Sequence, residues 1–141
     1  MTQSLTEERI GQVLDANRFG SFGTVEAGGK PKVRYMAVYH EGLNIYLATD
    51  RKTHKVEELE NNPNAFLLVG YESGGSKDVL EIEARVSISS EESLRKQVWN
   101  PDLSRWFKGP EDPDYVVLKL DPQRIELESG GERSVWEKAQ G

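Results

Sequence analysis

The chain has 141 residues, 36% of them hydrophobic and 30% charged, a net charge of -6 and no cysteine. One domain over 1–141 is expected at this length, and disulfides, thiolate metal sites and cysteine nucleophiles are excluded, while two histidines, His40 and His54, make a zinc hydrolase a poor fit. The acidic surplus argues against a nucleic-acid partner, and the polar start at residues 1–8 with no long apolar run argues against a membrane span or a leader, so a cytoplasmic protein is expected.

Ser4-x-x-Glu7 has capping-box spacing, and Ile10, Val13 and Leu14 follow at helical intervals, which predicts an amphipathic helix ending near Asn17. From Phe19 the period changes. Residues 19–27, 32–40 and 43–49 read as three strands of an antiparallel meander, parted by Gly28-Gly29 and Glu41-Gly42. Thr53 is a suitable N-cap for a short helix carrying Val56 and Leu59 and closed by Asn61-Asn62-Pro63. A buried strand over 65–71, a turn at Ser73-Gly74-Gly75-Ser76 and a long strand over 78–89 come next. The alternation of that long strand slips between Val79 and Ile82, which predicts a bulge there.

Ser89-x-x-Glu92 repeats the capping-box spacing ahead of a third helix, stopped by Asn100-Pro101. Trp106-Phe107 falls in a loop rich in Gly and Pro. A last strand runs over 115–120 and continues past Asp121-Pro122 through Ile125 and Leu127, and the tail beyond Gly130-Gly131 has no assigned element. Six or seven strands with short helices between them imply a mainly β, antiparallel barrel with helical additions rather than a parallel sheet.

Two segments hold candidate chemistry. Strand alternation puts Arg34, Met36, Val38 and His40 on one face of 32–40 and Val33, Tyr35, Ala37 and Tyr39 on the other. Spacing alone favours Arg34 as an arginine paired with a carboxylate at a barrel rim over a ligand group. In Thr49-Asp50-Arg51-Lys52-Thr53-His54-Lys55, hydroxyls, cations and helix N-terminal amides converge, which is how a phosphate is held. The plainer alternative is an ordinary N-cap flanked by solvated lysines.

Together these segments resemble the flavin-binding part of the pyridoxamine 5'-phosphate oxidase-like split-barrel superfamily, in its bacterial general stress protein branch. The resemblance rests on Pro31-Lys32-Val33-Arg34-Tyr35-Met36, the strand ending at Thr49, Thr53-His54-Lys55, Asn61-Asn62-Pro63 and the segment Val98-Trp99-Asn100-Pro101 to Trp106-Phe107. It implies a split β-barrel homodimer with FMN, or FAD, at the subunit interface. Arg34 and Lys55 would hold the flavin phosphate with Thr53 and the His54 position, Thr49 and the backbone of Tyr35 and Met36 would meet the ribityl chain or ring edge, and Trp106 or Phe107 would cover the ring from the second chain. True pyridoxamine phosphate oxidases carry a lysine where Tyr39 stands and an Arg-x-His pair near the C-terminus; no histidine follows His54, so oxidation of the vitamin is not expected. A flavin-dependent oxidoreductase, a flavin-storing protein without turnover, and a module for haem or deazaflavin remain as readings.

Overall fold

The structure, a computed structural model, describes residues 3–70 and 77–139. Strand β1 (Gln3–Ser4) precedes helix α1 (Glu7–Ala16). The helix is capped by Thr6, whose hydroxyl accepts from the Arg9 amide at 3.1 Å. Ser4 does not take that role, because it is drawn into a ladder with the C-terminal strand two residues earlier. Ile10, Val13 and Leu14 are buried as their spacing predicts, and Asn17 closes the helix by donating its side-chain amide to the Val13 carbonyl at 2.8 Å.

Strands β2 (Phe19–Val25) and β3 (Pro31–Ala37) form an antiparallel hairpin. The expected continuous strand through residue 40 breaks at Val38, whose amide bonds the Arg18 carbonyl at 2.8 Å. Strand β4 (Tyr39–Glu41) then pairs with β5 (Asn44–Asp50). The meander is thus corrected to two hairpins with different neighbours: β3 stays on β2, while β5 crosses to β8 (Tyr115–Ser129). Helix α2 (His54–Asn61) follows β5, and β6 (Asn64–Gly70) lies between β2 and β7 (Asp78–Ser89). Tyr71 and the expected turn at 73–76 lie outside the described residues.

Helix α3 (Glu92–Val98) starts after Glu91, with Ser89 still in β7 and accepting from the Glu91 amide at 3.2 Å rather than capping the helix. A 3-10 helix covers Pro101–Arg105. The tail left without an element is β9 (Glu132–Glu137), antiparallel to β8 and parallel to β1. The order β1-β9-β8-β7-β6-β2-β3, with β5 joined to β8 and β4 to β5, curls into a mostly antiparallel split barrel with three short helices. Among the described residues no helix is long and apolar enough to cross a membrane.

The expected bulge at Val79–Ile82 does not form. Leu80, Ile82, Ala84 and Val86 alternate inward without a break, and the register shifts instead between Glu83 and Ala84, where Gln123 of β8 is the extra residue. The bulge lets one long strand pair β5 with its first half and β9 with its second. The main core fills the barrel with Phe22, Ile45, Leu47, Leu67, Leu80, Ile82, Leu118 and Ile125, all at or near zero exposure. A second cluster, Tyr46, Leu94, Val98, Leu103, Phe107, Tyr115 and Val117, lies on the other side of β5 and β8 under α3 and the 3-10 helix. Both faces of these strands are covered, hence the near-continuous apolar run at 115–118.

Tyr115 is fully buried in this second cluster, packed at 5.1 Å from the Phe107 ring and 5.6 Å from Trp99, with its hydroxyl donating to the Arg95 carbonyl at 2.8 Å. Burial first, and the nearby Tyr39 second, push its phenol up to about 12 from an ordinary 10.0. A folded-state value above the unfolded one means that the stabilisation is complete below pH 10 and is lost as pH rises through 12. Tyr115→Phe is expected to cost about 1 kcal/mol at neutral pH. Urea midpoints of both proteins measured from pH 9 upward should converge; a constant gap would show that the hydroxyl does not ionise with unfolding.

Candidate functional site

A cleft of about 830 Å³ opens between the edge strand β3, the β4–β5 hairpin, the start of α2 and the 3-10 helix with the residues after it. Arg34, Tyr35, Met36, Thr49, Thr53, Lys55 and Trp106, seven of the eight residues singled out from the sequence, line it together. The eighth, His54, does not: its side chain lines a separate hollow with Glu26, Lys32 and Glu57 on the other side of α2. That follows from helix geometry, since adjacent residues point about 100° apart.

Asp50 builds the turn that leads into α2. Its side chain accepts from the Lys52 amide at 2.8 Å, and its carbonyl accepts from the Thr53 hydroxyl at 2.8 Å. Thr53 therefore occupies the N-cap position in extended conformation without a side-chain capping bond. The three cations of this segment then part company. Arg51 and Lys52 both turn to Asp114, each at 3.1 Å, which raises the Lys52 ammonium through hydrogen bonding and charge. Lys55 turns into the cleft and has no hydrogen-bond or ion-pair partner among the described residues. Burial, then the facing Arg34 guanidinium, holds its ammonium below the usual 10.5, with Asp50 and Glu58 acting weakly the other way.

Arg34 meets both descriptions that its spacing allows. It lines the cleft, yet it is also paired: one guanidinium nitrogen donates to the Thr24 hydroxyl at 2.7 Å and the other to Glu58 Oε1 at 3.3 Å. Thr24 in turn donates to the same carboxylate oxygen at 3.2 Å. Glu58 is only 8% exposed, and its Oε2 has no hydrogen-bond partner among the described residues. Sequence reasoning passes over Glu58, although its signal is present: an acidic residue between Val56 and Leu59, on the face of α2 that points inward. It also passes over Arg18, Phe19, Asp102 and Arg105, which line the cleft from loop and junction positions that have no periodic pattern.

A mostly antiparallel split half-barrel, here with a cation-lined cleft beside a helix N-terminus, is the class of fold that the chain defines. The sequence matches the family described as Pyridoxamine 5'-phosphate oxidase over residues 6–129. The chain belongs to that family. It is 40% identical over 135 residues to General stress protein 26 of Bacillus subtilis (strain 168), covering 95% of this chain and 96% of the relative. The crystal structure of the General Stress Protein 26 from Bacillus anthracis str. Sterne is similar with a TM-score of 0.78 and 36% identity, over 86% of this chain and 92% of that one. Two structures at 14% identity share the fold: a pyridoxamine 5'-phosphate oxidase-related, FMN binding protein from Nostoc punctiforme, with a TM-score of 0.71 over 99% and 100% of the chains, and a heme binding protein from Mycobacterium smegmatis, with a TM-score of 0.78 over 97% and 60%.

The Arg34–Thr24–Glu58 network ties α2 to the β2–β3 hairpin, so its loss should be felt in stability. Arg34→Ala leaves Glu58 buried with the Thr24 hydroxyl alone, and a cost of about 3 kcal/mol is expected. The double change Arg34→Ala with Glu58→Ala should cost less than the two single changes added together. Denaturant midpoints of the four proteins measure this; strict additivity would mean that the pair contributes no coupling.

Proposed function

We propose that the chain is a flavin-binding protein that takes FMN in this cleft, with the flavin phosphate on Lys55, Arg34 and the first turn of α2. The observation that supports this most is Lys55: a cation in the first turn of a helix opposes the helix dipole, is partly desolvated, and, with no partner of its own among the described residues, lies beside the paired Arg34. A bound phosphate reverses all three terms. His54 would contribute its backbone amide from the first turn, although its side chain faces away. Thr49 and the backbone of Tyr35 and Met36 would meet the ribityl chain or ring edge, and Trp106 would cover the ring. When bound, the flavin supplies hydride and electron transfer, while these residues supply position and charge. FAD would offer its phosphate to the same groups. Haem is a second reading: neither His40 nor His54 lines the cleft, and Tyr35, Met36 and Tyr39 are the residues there that would hold its iron. With FMN in the cleft the protein would act as a flavin-dependent oxidoreductase of the cytoplasm with a stress role.

The reading includes a homodimer. Val33 and Tyr35 of β3 stand opposite Gly23 and Ser21 of β2, and those stand opposite Phe66 and Leu68 of β6. Directly opposed residues share a face, so an apolar trough floored by two small residues crosses three strands. Its walls are exposed, Tyr35 at 84%, and Tyr35 also lines the cleft. A second copy seated there would cover the trough and close the flavin site together.

Lys55→Ala is expected to weaken FMN by about one to two decades, roughly 1.5 to 3 kcal/mol, and to leave riboflavin almost unchanged. The preference for FMN over riboflavin should also fall as pH rises, starting below the ordinary lysine value, because the lowered ammonium loses its proton there. Fluorescence titration tests both; equal weakening of the two ligands would make Lys55 a support for the loop, and no change would remove it from the site.

For the dimer, sedimentation at micromolar concentration should give about twice the 15.9 kDa chain mass. Leu68→Glu should return the single-chain mass. A monomer that holds flavin at full stoichiometry would rule out a site shared between copies.

A further inference from the structure

We propose that the hollow on the far side of α2 from the cleft is a second binding site, which takes the primary ammonium group of a small organic amine on Glu58 and Glu57. It measures about 290 Å³ and lies between the helix and the end of the β2–β3 hairpin. His54, Glu57, Glu58 and Asn61 line it from α2, at the spacing that puts residues on one side of a helix. Glu26 and Lys32 line it from the hairpin. Lys32 is on the same face of β3 as Arg34 and on the opposite face from Val33 and Tyr35. A second copy seated on the apolar trough therefore leaves the hollow open.

The observation that points to a ligand is the buried carboxylate in its wall. Glu58 lines the hollow and not the cleft. Its Oε1 is held by the Arg34 guanidinium at 3.3 Å and the Thr24 hydroxyl at 3.2 Å, while Oε2, withdrawn from solvent, has no hydrogen-bond partner among the described residues. An ionised carboxylate offers about four acceptor sites, and a buried oxygen that uses none of its own is unfavourable. The charges beside it are not balanced either. Lys32 is committed to Glu26 at 3.1 Å and Arg34 to Glu58. The Glu57 carboxylate has no hydrogen-bond or ion-pair partner among the described residues, so three carboxylates stand against two cations.

One surplus negative charge suits a monocation. An ammonium head has three N–H donors and no acceptor, and the groups left over here are acceptors: Glu58 Oε2, the Glu57 carboxylate and the Asn61 side-chain oxygen, whose own amide nitrogen is spent on the Glu57 carbonyl at 3.1 Å. A metal ion is less suited, since no three His, Asp or Glu side chains among the described residues are grouped to hold one, and a double charge beside Glu58 would meet twice the repulsion from Arg34. A quaternary ammonium has the charge but no N–H for Oε2. Behind the head, Ala27 and the methylene stem of Lys32 offer an apolar wall to a short carbon chain. The hollow shares no lining residue with the cleft, so the site stands whether or not FMN is bound there.

The test titrates the full chain, isotope-labelled, with n-butylammonium and follows the backbone amide signals by NMR. Tetramethylammonium carries the charge without N–H donors, and n-butanol carries the chain without the charge. n-Butylammonium should bind about tenfold or more tightly than either control, with the largest shifts at residues 54–61 and 24–32. Glu57→Gln, at an exposed position, should weaken it about tenfold, and Glu58→Gln at least as much. The spectrum of each variant verifies its fold; if Glu58→Gln unfolds the chain, the Glu57→Gln titration alone decides. Equal affinity for n-butylammonium and tetramethylammonium, or n-butylammonium binding that Glu57→Gln does not weaken, overturns the proposal. Displacement of n-butylammonium by an equal concentration of zinc ion would make the hollow a metal site and overturns it as well.

Discussion

Helix α2 is short, and its docking on the barrel depends on a buried charge. Val56 and Leu59 supply apolar contact, but Glu58 sets the orientation, because its carboxylate lies among the Thr24 hydroxyl and the Arg34 guanidinium. A carboxylate this deep is tolerated only in such company. Once Glu58 is seated, the residue one turn earlier is Lys55, and its direction into the cleft is decided by the helix period rather than by any contact of its own. The cation at the cleft wall is therefore a consequence of the ion pair beneath it. The same pair explains why Arg34 can serve both as scaffold and as lining: a guanidinium has five donors, and the network uses only part of them.

Much of the barrel is legible in the sequence because its elements are locally consistent. The first helix shows its apolar spacing, α2 its stop at Asn61-Asn62-Pro63, and the strand at Asp78–Ser89 its full length. The failures have physical causes. Ser4 has the right spacing for a cap, but a two-residue ladder with β9 claims its backbone. Strand β3 ends at Ala37 because the residues after Val38 must pair with β5, a long-range demand that local alternation cannot register. The phase slip sits in β8, where Leu118 and Leu120 point inward on even numbers and Ile125 and Leu127 on odd ones. Leu80, not Val79, carries the inward phase of β7, so no bulge is needed there.

The cleft is legible in part. A phosphate-like convergence around Thr53 and Lys55 follows from strand, turn and helix in sequence order. Which cation is available does not, since Asp114, the group that occupies Arg51 and Lys52, arrives from some sixty residues further on. The far wall is hidden for the same reason. Arg18 and Asp102 are joined across 84 positions of sequence, and neither belongs to a periodic segment.

The extra residue at Gln123 also divides the molecule by tolerance to change. Among the described residues, everything that lines the cleft comes from residues 18–107, and the strand beyond the bulge, with the Gly130-Gly131 turn and β9, contributes nothing to it. The kink allows the later half of β8 to tilt away while the earlier half stays clamped between β5 and β7. Lengthening of the β8–β9 turn, or drift in its surface charges, can accumulate without moving the cleft wall. Lineages built on this barrel are thus free to diversify at one end while the other keeps its chemistry.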